Sequence, residues 1–133
     1  MNDKTFHINF ESLADAIQDA KKSIKQGKVV GTPGKEASFE NFSSFMSFMF
    51  PNKFALLIAI KLESPKSLYQ LAQVVDRPQS AVLKDCDELE NMGFIIYDKG
   101  SRNSKIPKLS FDYDTLLVHD RRGLQKYQFI NVA

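Results

Sequence analysis

SPKSLYQLAQVVDRPQSAVLKDCDELENMGFI, residues Ser64–Ile95, holds two helical patterns separated only by Asp76-Arg77-Pro78. Ser67 offers an N-cap oxygen to a first helix that places Leu68, Leu71, Ala72 and Val75 on one face. Pro78 suits the start of a second helix, where Val82, Cys86 and Leu89 recur at helical spacing and Met92 closes the pattern. Gly93 can take the left-handed conformation that ends a helix. Two short helices at so tight a turn form a helix-turn-helix.

On the C-terminal side, Phe94, Ile95, Ile96 and Tyr97 favour a strand. The segment DKGSRNSKIPK carries the turn residues Gly100, Ser101, Asn103 and Pro107, and Leu109, Phe111 and Tyr113 alternate in a return strand. Helix, turn, helix and hairpin together predict a winged helix-turn-helix.

On the N-terminal side, Phe6, Ile8 and Phe10 alternate with His7 and Asn9, the period-two signature of a strand. Ser12 opens a helix along Leu13, Ile17, Ala20 and Ile24 that fades at Gly27, and Gly31, Pro33 and Gly34 mark a loop. Ser38 opens SFENFSSFMSFMF, predicted as an aromatic helix with Phe39, Phe42 and Phe45 at every third residue. So large an apolar surface belongs in a core or at a subunit interface. Pro51 then fits the first turn of PNKFALLIAIKL, with Phe54, Leu57, Ile58 and Leu62 on one side. The expected fold is α+β, mainly helical: residues 1–50 an N-terminal strand-helix extension with a dimerising aromatic helix, 51–118 the winged helix-turn-helix, and 119–133 a C-terminal extension. Tyr127, Phe129 and Val132 alternate in part within that extension, as a dimer strand or docking segment would.

At 133 residues, with 43% hydrophobic and 26% charged residues, the chain can bury one core of its own. A net charge of +2 is too small to argue for nucleic acid unless it is clustered. The single cysteine excludes an intramolecular disulfide, and no signal segment or membrane-length apolar run occurs, which favours the cytoplasm. Enzyme readings fail on chemistry: His7 and His119 lie far apart, no metal-ligand spacing or cofactor motif occurs, and no phosphate-cradling glycine loop or nucleophile motif is present. Cys86 sits on the apolar stripe, as a packed thiol does.

In a winged helix-turn-helix the second helix, here residues 78–92, enters the major groove of double-stranded DNA while the hairpin, 99–108, reaches phosphates or the adjacent groove. Removing the buried stripe leaves Gln79, Ser80, Leu83 and Lys84 outward near the helix start. Gln79 suits adenine, Leu83 a thymine methyl and Lys84 a phosphate. The hairpin gathers Lys99, Arg102, Lys105 and Lys108 with no acidic residue between Lys99 and Leu109. Against this, Asp85, Asp87, Glu88 and Glu90 make the middle of the helix acidic, and carboxylates repel phosphates unless they point away.

The stretch ESPKSLYQLAQVVDRPQSAVLKDCDELENMGFI, with IPKLSFDYDTLLV after it, resembles the MarR-like winged helix-turn-helix regulators of archaea and bacteria, some of them likened to antitoxins. The likeness runs from the first strand to about Val118. It implies a homodimer on a specific operator, and it points to Arg77, Ser80, Lys84, Arg102 and Lys105 for DNA contact. With Ser67 and Asn103, which flank the same surface, the candidate set is Ser67, Arg77, Gln79, Ser80, Leu83, Lys84, Lys99, Arg102, Asn103, Lys105 and Lys108. Leu83 departs from the family pattern, which has a polar or basic residue there. The rival expectation is an interaction module on the same scaffold, its acidic helix and aromatic surface binding a protein partner such as a cognate toxin.

Overall fold

The computed structural model describes residues 4–10, 35–100, 104–120 and 123–129. The helix expected over Leu13–Ile24, the loop around Pro33, and Arg102, Asn103 and Val132 lie outside them. Strand β1 spans Thr5–Phe10 and β2 Glu36–Phe39; helices α1 to α4 span Phe42–Met49, Asn52–Glu63, Leu68–Val75 and Gln79–Asn91. Four strands follow: β3 Ile95–Lys99, β4 Lys105–Leu109, β5 Thr115–Asp120 and β6 Gly123–Gln128. The chain is thus an α+β protein with four helices and six strands among its described residues.

The helical pair forms as its punctuation dictates. The Ser67 hydroxyl accepts from the Gln70 backbone N–H at 3.0 Å, capping α3. Asp76 ends α3 in the left-handed conformation at φ 55, a region that Asp tolerates better than most residues, and the Arg77 N–H closes onto the Ala72 carbonyl. Two residues later α4 begins at Gln79 behind Pro78. Leu68, Leu71 and Ala72 of α3 and Val82, Cys86 and Leu89 of α4 are buried, as their spacing predicts. Gly93, at φ 88, ends α4, and the Phe94 N–H returns to the Leu89 carbonyl.

The hairpin is shifted from its expected register. β4 runs from Lys105 to Leu109, so Pro107 is inside the strand rather than in the turn, while Phe111 and Tyr113 lie beyond it. Gly100 donates to the Ser104 carbonyl at 2.7 Å and Ser110 to that of Phe94, so hydrogen-bonded pairs fall on even-numbered residues. Pro107, opposite Tyr97, therefore turns its donorless nitrogen to the outer edge, a position in which proline takes nothing from the ladder. A Cβ on Gly100 would press on the Ser104 hydroxyl and the Ile106 side chain, so a larger residue there requires both to shift.

The larger correction is at the two ends. Residues Glu36–Phe39 form a strand, not the start of the aromatic helix: Ala37 and Phe39 are buried in alternation, and the helix begins only after Asn41, whose Oδ1 accepts from the Ser44 N–H at 2.8 Å. The phenylalanine at every third residue concealed this change of period. Strands then assemble as β2-β1-β5-β6, with β1 parallel to both neighbours and β6 antiparallel to β5. The extension beyond residue 118 thus pairs within its own chain, where Tyr127 packs on Phe45 and Phe50 and Phe129 on Phe54 and Tyr113. The aromatic helix spends its largest side chains there as well, with Phe45 and Met49 fully buried. Strands of the expected outer segments thereby share one core with the helices.

The parallel pairing of β1 with β5 also brings together the two histidines, His7 Nδ1 and His119 Nε2 lying 2.8 Å apart. Among the described residues no group of three or more His, Cys, Asp or Glu side chains is placed to hold a metal ion, and no single helix is long and apolar enough to cross a membrane.

The buried Tyr113 hydroxyl donates to the Phe94 carbonyl at 2.6 Å, tying the hairpin exit to its entry. That carbonyl also accepts from Ser110, so Tyr113→Phe leaves it partnered; a loss of about 1 kcal/mol in urea unfolding is expected, near the middle of the range for one hydrogen bond. Burial, with help from Asp85 and Asp87, pushes the Cys86 thiol up to about 12. The folded form therefore holds its proton where the unfolded form releases it, so this contribution to stability is complete below pH 9.0 and declines as pH rises toward 12. At pH 8 a disulfide reagent should label Cys86 only after denaturation, as absorbance of the released thiolate would record.

Candidate nucleic-acid interface

Gln79, Ser80 and Lys84 are exposed on the first two turns of α4, and Leu83 beside them is half-buried against the core. The hairpin presents Lys99, Lys105 and Lys108, all exposed. Lys105 Nζ lies 4.8 Å from the centre of the Tyr97 ring, and Lys108 pairs with Asp98 at 2.9 Å, which holds the Asp98 carboxyl below the usual carboxylate range. Helix and hairpin are joined by the Tyr97 hydroxyl, which donates to Asp87 Oδ1 at 2.7 Å. Burial and that carboxylate both raise the Tyr97 phenol well above its ordinary value, so it remains a donor at neutral pH.

Besides Lys108 with Asp98, two members of the expected contact set have structural partners. Ser67 spends its hydroxyl on the α3 cap. Arg77 turns inward: its Nη2 meets Asp85 Oδ2 at 2.7 Å, and its Nη1 is buried without a hydrogen-bond partner. To reach a phosphate Arg77 would have to abandon Asp85, which is only 15% exposed.

The acidic middle of α4 is resolved by the same geometry. Asp85 faces Arg77 and also lies 3.8 Å from Lys53 Nζ of α2, and Glu88 meets Lys53 at 2.7 Å. Asp87 is held by Tyr97; Glu90 is exposed with no cation against it among the described residues, and Glu88, though paired, keeps a side chain 39% exposed. Lys53 is 12% exposed and rests over the Phe48 ring, 4.4 Å from its centre. In the sequence it was one of two lysines on an apolar helix, and nothing in its neighbours marks it as a partner for residues more than thirty positions away.

Tyr69 and Gln73 also escaped notice. They stand one turn apart on the outer face of α3, joined at 3.1 Å, and with Asp76, Arg77, Pro78 and Gln79 they line a cleft of about 340 Å³ at the corner between the helices. Tyr69 is 60% exposed, and its signal was an aromatic residue off the apolar stripe.

Arg77→Ala should lower stability by about 1–2 kcal/mol in a chemical melt, since it strips a partly buried carboxylate of its nearest cation while Lys53 remains at longer range.

Neither the curated proteins nor the solved structures gave a match to the chain. A family model, HVO_A0114, matches residues 48–118, from the end of α1 through all three later helices and the hairpin to β5. Because that match takes in just over half of the sequence, including the helical pair and every described candidate contact residue, the chain belongs to the HVO_A0114 family.

Proposed function

We propose that the protein is a winged helix-turn-helix regulator, MarR-like in kind, that binds double-stranded DNA through the N-terminal turns of α4 in the major groove and through the basic hairpin on flanking phosphates. One observation carries the reading: the exposed side chains at the start of α4 are polar or basic, while Asp85, Asp87 and Glu88 are drawn to partners inside the chain. A helix whose carboxylates stayed free would repel the backbone it has to approach. The short α3–α4 turn and the hairpin directly after α4 support the same arrangement. On this reading Gln79 and Ser80 meet base edges, Leu83 adds an apolar contact, and Lys84, Lys99 and Lys105 meet phosphates. Arg102 and Asn103, at the hairpin tip by sequence, belong to the same proposal.

The proposal includes a homodimer, because one recognition helix reads only a half-site and two-fold symmetry supplies the second. Engagement of the carboxylates within the chain favours DNA over the rival interaction module, which needs the acidic face free for a partner.

Fluorescence anisotropy with the DNA upstream of the coding sequence and a scrambled duplex, over a range of salt, tests this reading. Tight binding that prefers the upstream duplex and weakens with salt is expected. Lys84→Ala combined with Lys99→Ala should reduce affinity and make the log-log salt slope shallower by about two units. An unchanged slope would remove both lysines from the interface.

A further inference from the structure

Helix α4 carries one lysine, Lys84, against four carboxylates, Asp85, Asp87, Glu88 and Glu90. As a bare helix it is a poor ligand for a polyanion. Two of those carboxylates, however, meet a cation from another element. Lys53 of α2 reaches Glu88 at 2.7 Å and Asp85 at 3.8 Å, residues three apart and therefore on adjacent turns of α4. The Lys53 side chain is 12% exposed and its ammonium lies over the Phe48 ring, which holds the cation in place, while the Glu88 side chain that it meets is 39% exposed.

Building on the DNA-binding reading, we infer that Lys53 is a positioning residue for DNA binding: it never meets the nucleic acid, but by gripping Asp85 and Glu88 it sets the rotation of α4 and cancels the charge that would repel phosphates. The two effects have one geometric origin. A grip on two successive turns of one face fixes the azimuth of the helix, and with it the outward direction of Gln79, Ser80 and Lys84. It also pairs two of the helix's four negative charges: Asp85, 15% exposed, and Glu88, which is 39% exposed and stands one turn from Lys84 on the same face. Asp85 is shared with Arg77, but Glu88 has Lys53 as the cation that the structure places against it, so Glu88 is the charge released when Lys53 is lost.

The test uses the intact chain with the upstream duplex in an anisotropy titration across a range of salt. Lys53→Met should weaken binding by roughly three- to tenfold, as one freed carboxylate near several phosphates would at moderate ionic strength. The log-log salt slope should stay within about half a unit of the wild type, because no phosphate contact is lost. Lys53→Arg should retain near-normal affinity, and adding Glu88→Gln to Lys53→Met should recover most of the loss. Circular dichroism establishes that each variant is folded. Should Lys53→Met alone fail to fold, Lys53→Arg and the neutral pair decide: normal binding by both supports the inference, and a folded neutral pair as weak as roughly tenfold below wild type overturns it. Undiminished binding by folded Lys53→Met overturns it as well, as does a slope shallower by about one unit, which would make Lys53 a direct phosphate contact. Absence of DNA binding by the wild type sinks the regulator reading and the inference with it, an outcome distinct from the other three.

Discussion

Phe94 joins the two parts of the molecule. Its ring stacks on Phe6 of β1 at 4.4 Å and lies near Phe48 of α1, and its carbonyl accepts from both Ser110 and the Tyr113 hydroxyl. Sheet, helices and hairpin therefore meet at a single buried residue that follows directly after the glycine ending α4. Aromatic stacking supplies area and orientation, and the two hydrogen bonds hold the backbone where the chain turns from helix into hairpin. Burial at this junction raises the Tyr113 phenol far above its ordinary range, so the donor is never lost at neutral pH. The exit angle of the hairpin from α4 depends on that point.

Local signals in the sequence were enough for the helical pair. Ser67, Pro78 and Gly93 each act within a few residues, and the stripe Leu68, Leu71, Val82, Cys86 and Leu89 has one period throughout. The N-terminal segment was harder because Phe39, Phe42 and Phe45 share helical spacing while the first belongs to a strand and the other two to a helix. Only the pairing of β2 with β1 separates them, and pairing is a long-range fact. The same holds for β6, where the partial alternation from Tyr127 suggested a strand but not its neighbour, and for β5, whose residues carried no strand reading of their own. For the candidate surface, outward residues were legible by subtracting the buried stripe. The partners of the inward charges were not, because Lys53 and Glu88, or Arg77 and Asp85, are recognised only once two helices have been placed side by side.

The electrostatics of the helical pair are organised by depth rather than by net composition. A chain with a formal charge of only +2 separates its charges into layers: carboxylates of α4 toward α2, Arg77 and Tyr97, lysines outward on α4 and the hairpin. Ion pairs so arranged add little to stability once desolvation is counted, and their larger effect is on where the field points. Asp98 with Lys108 shows the exposed counterpart, in which the lysine lowers the carboxyl below its usual range with both groups in water, and Asp112, itself exposed, is lowered in the same way by Lys61, whose side chain is largely covered.

The strand order β2-β1-β5-β6 has a consequence for how the molecule is made. β1 lies between β2 and a strand that begins at Thr115, so β1 is enclosed on both edges only after residues 115–120 have been synthesised. The helical pair and hairpin, whose contacts are local, can form while residues 115–128 are still in the exit tunnel. During that interval Phe6 and Ile8 lack their β5 neighbours, and the nascent chain relies on β2 to occupy an edge that would otherwise recruit strands from other chains.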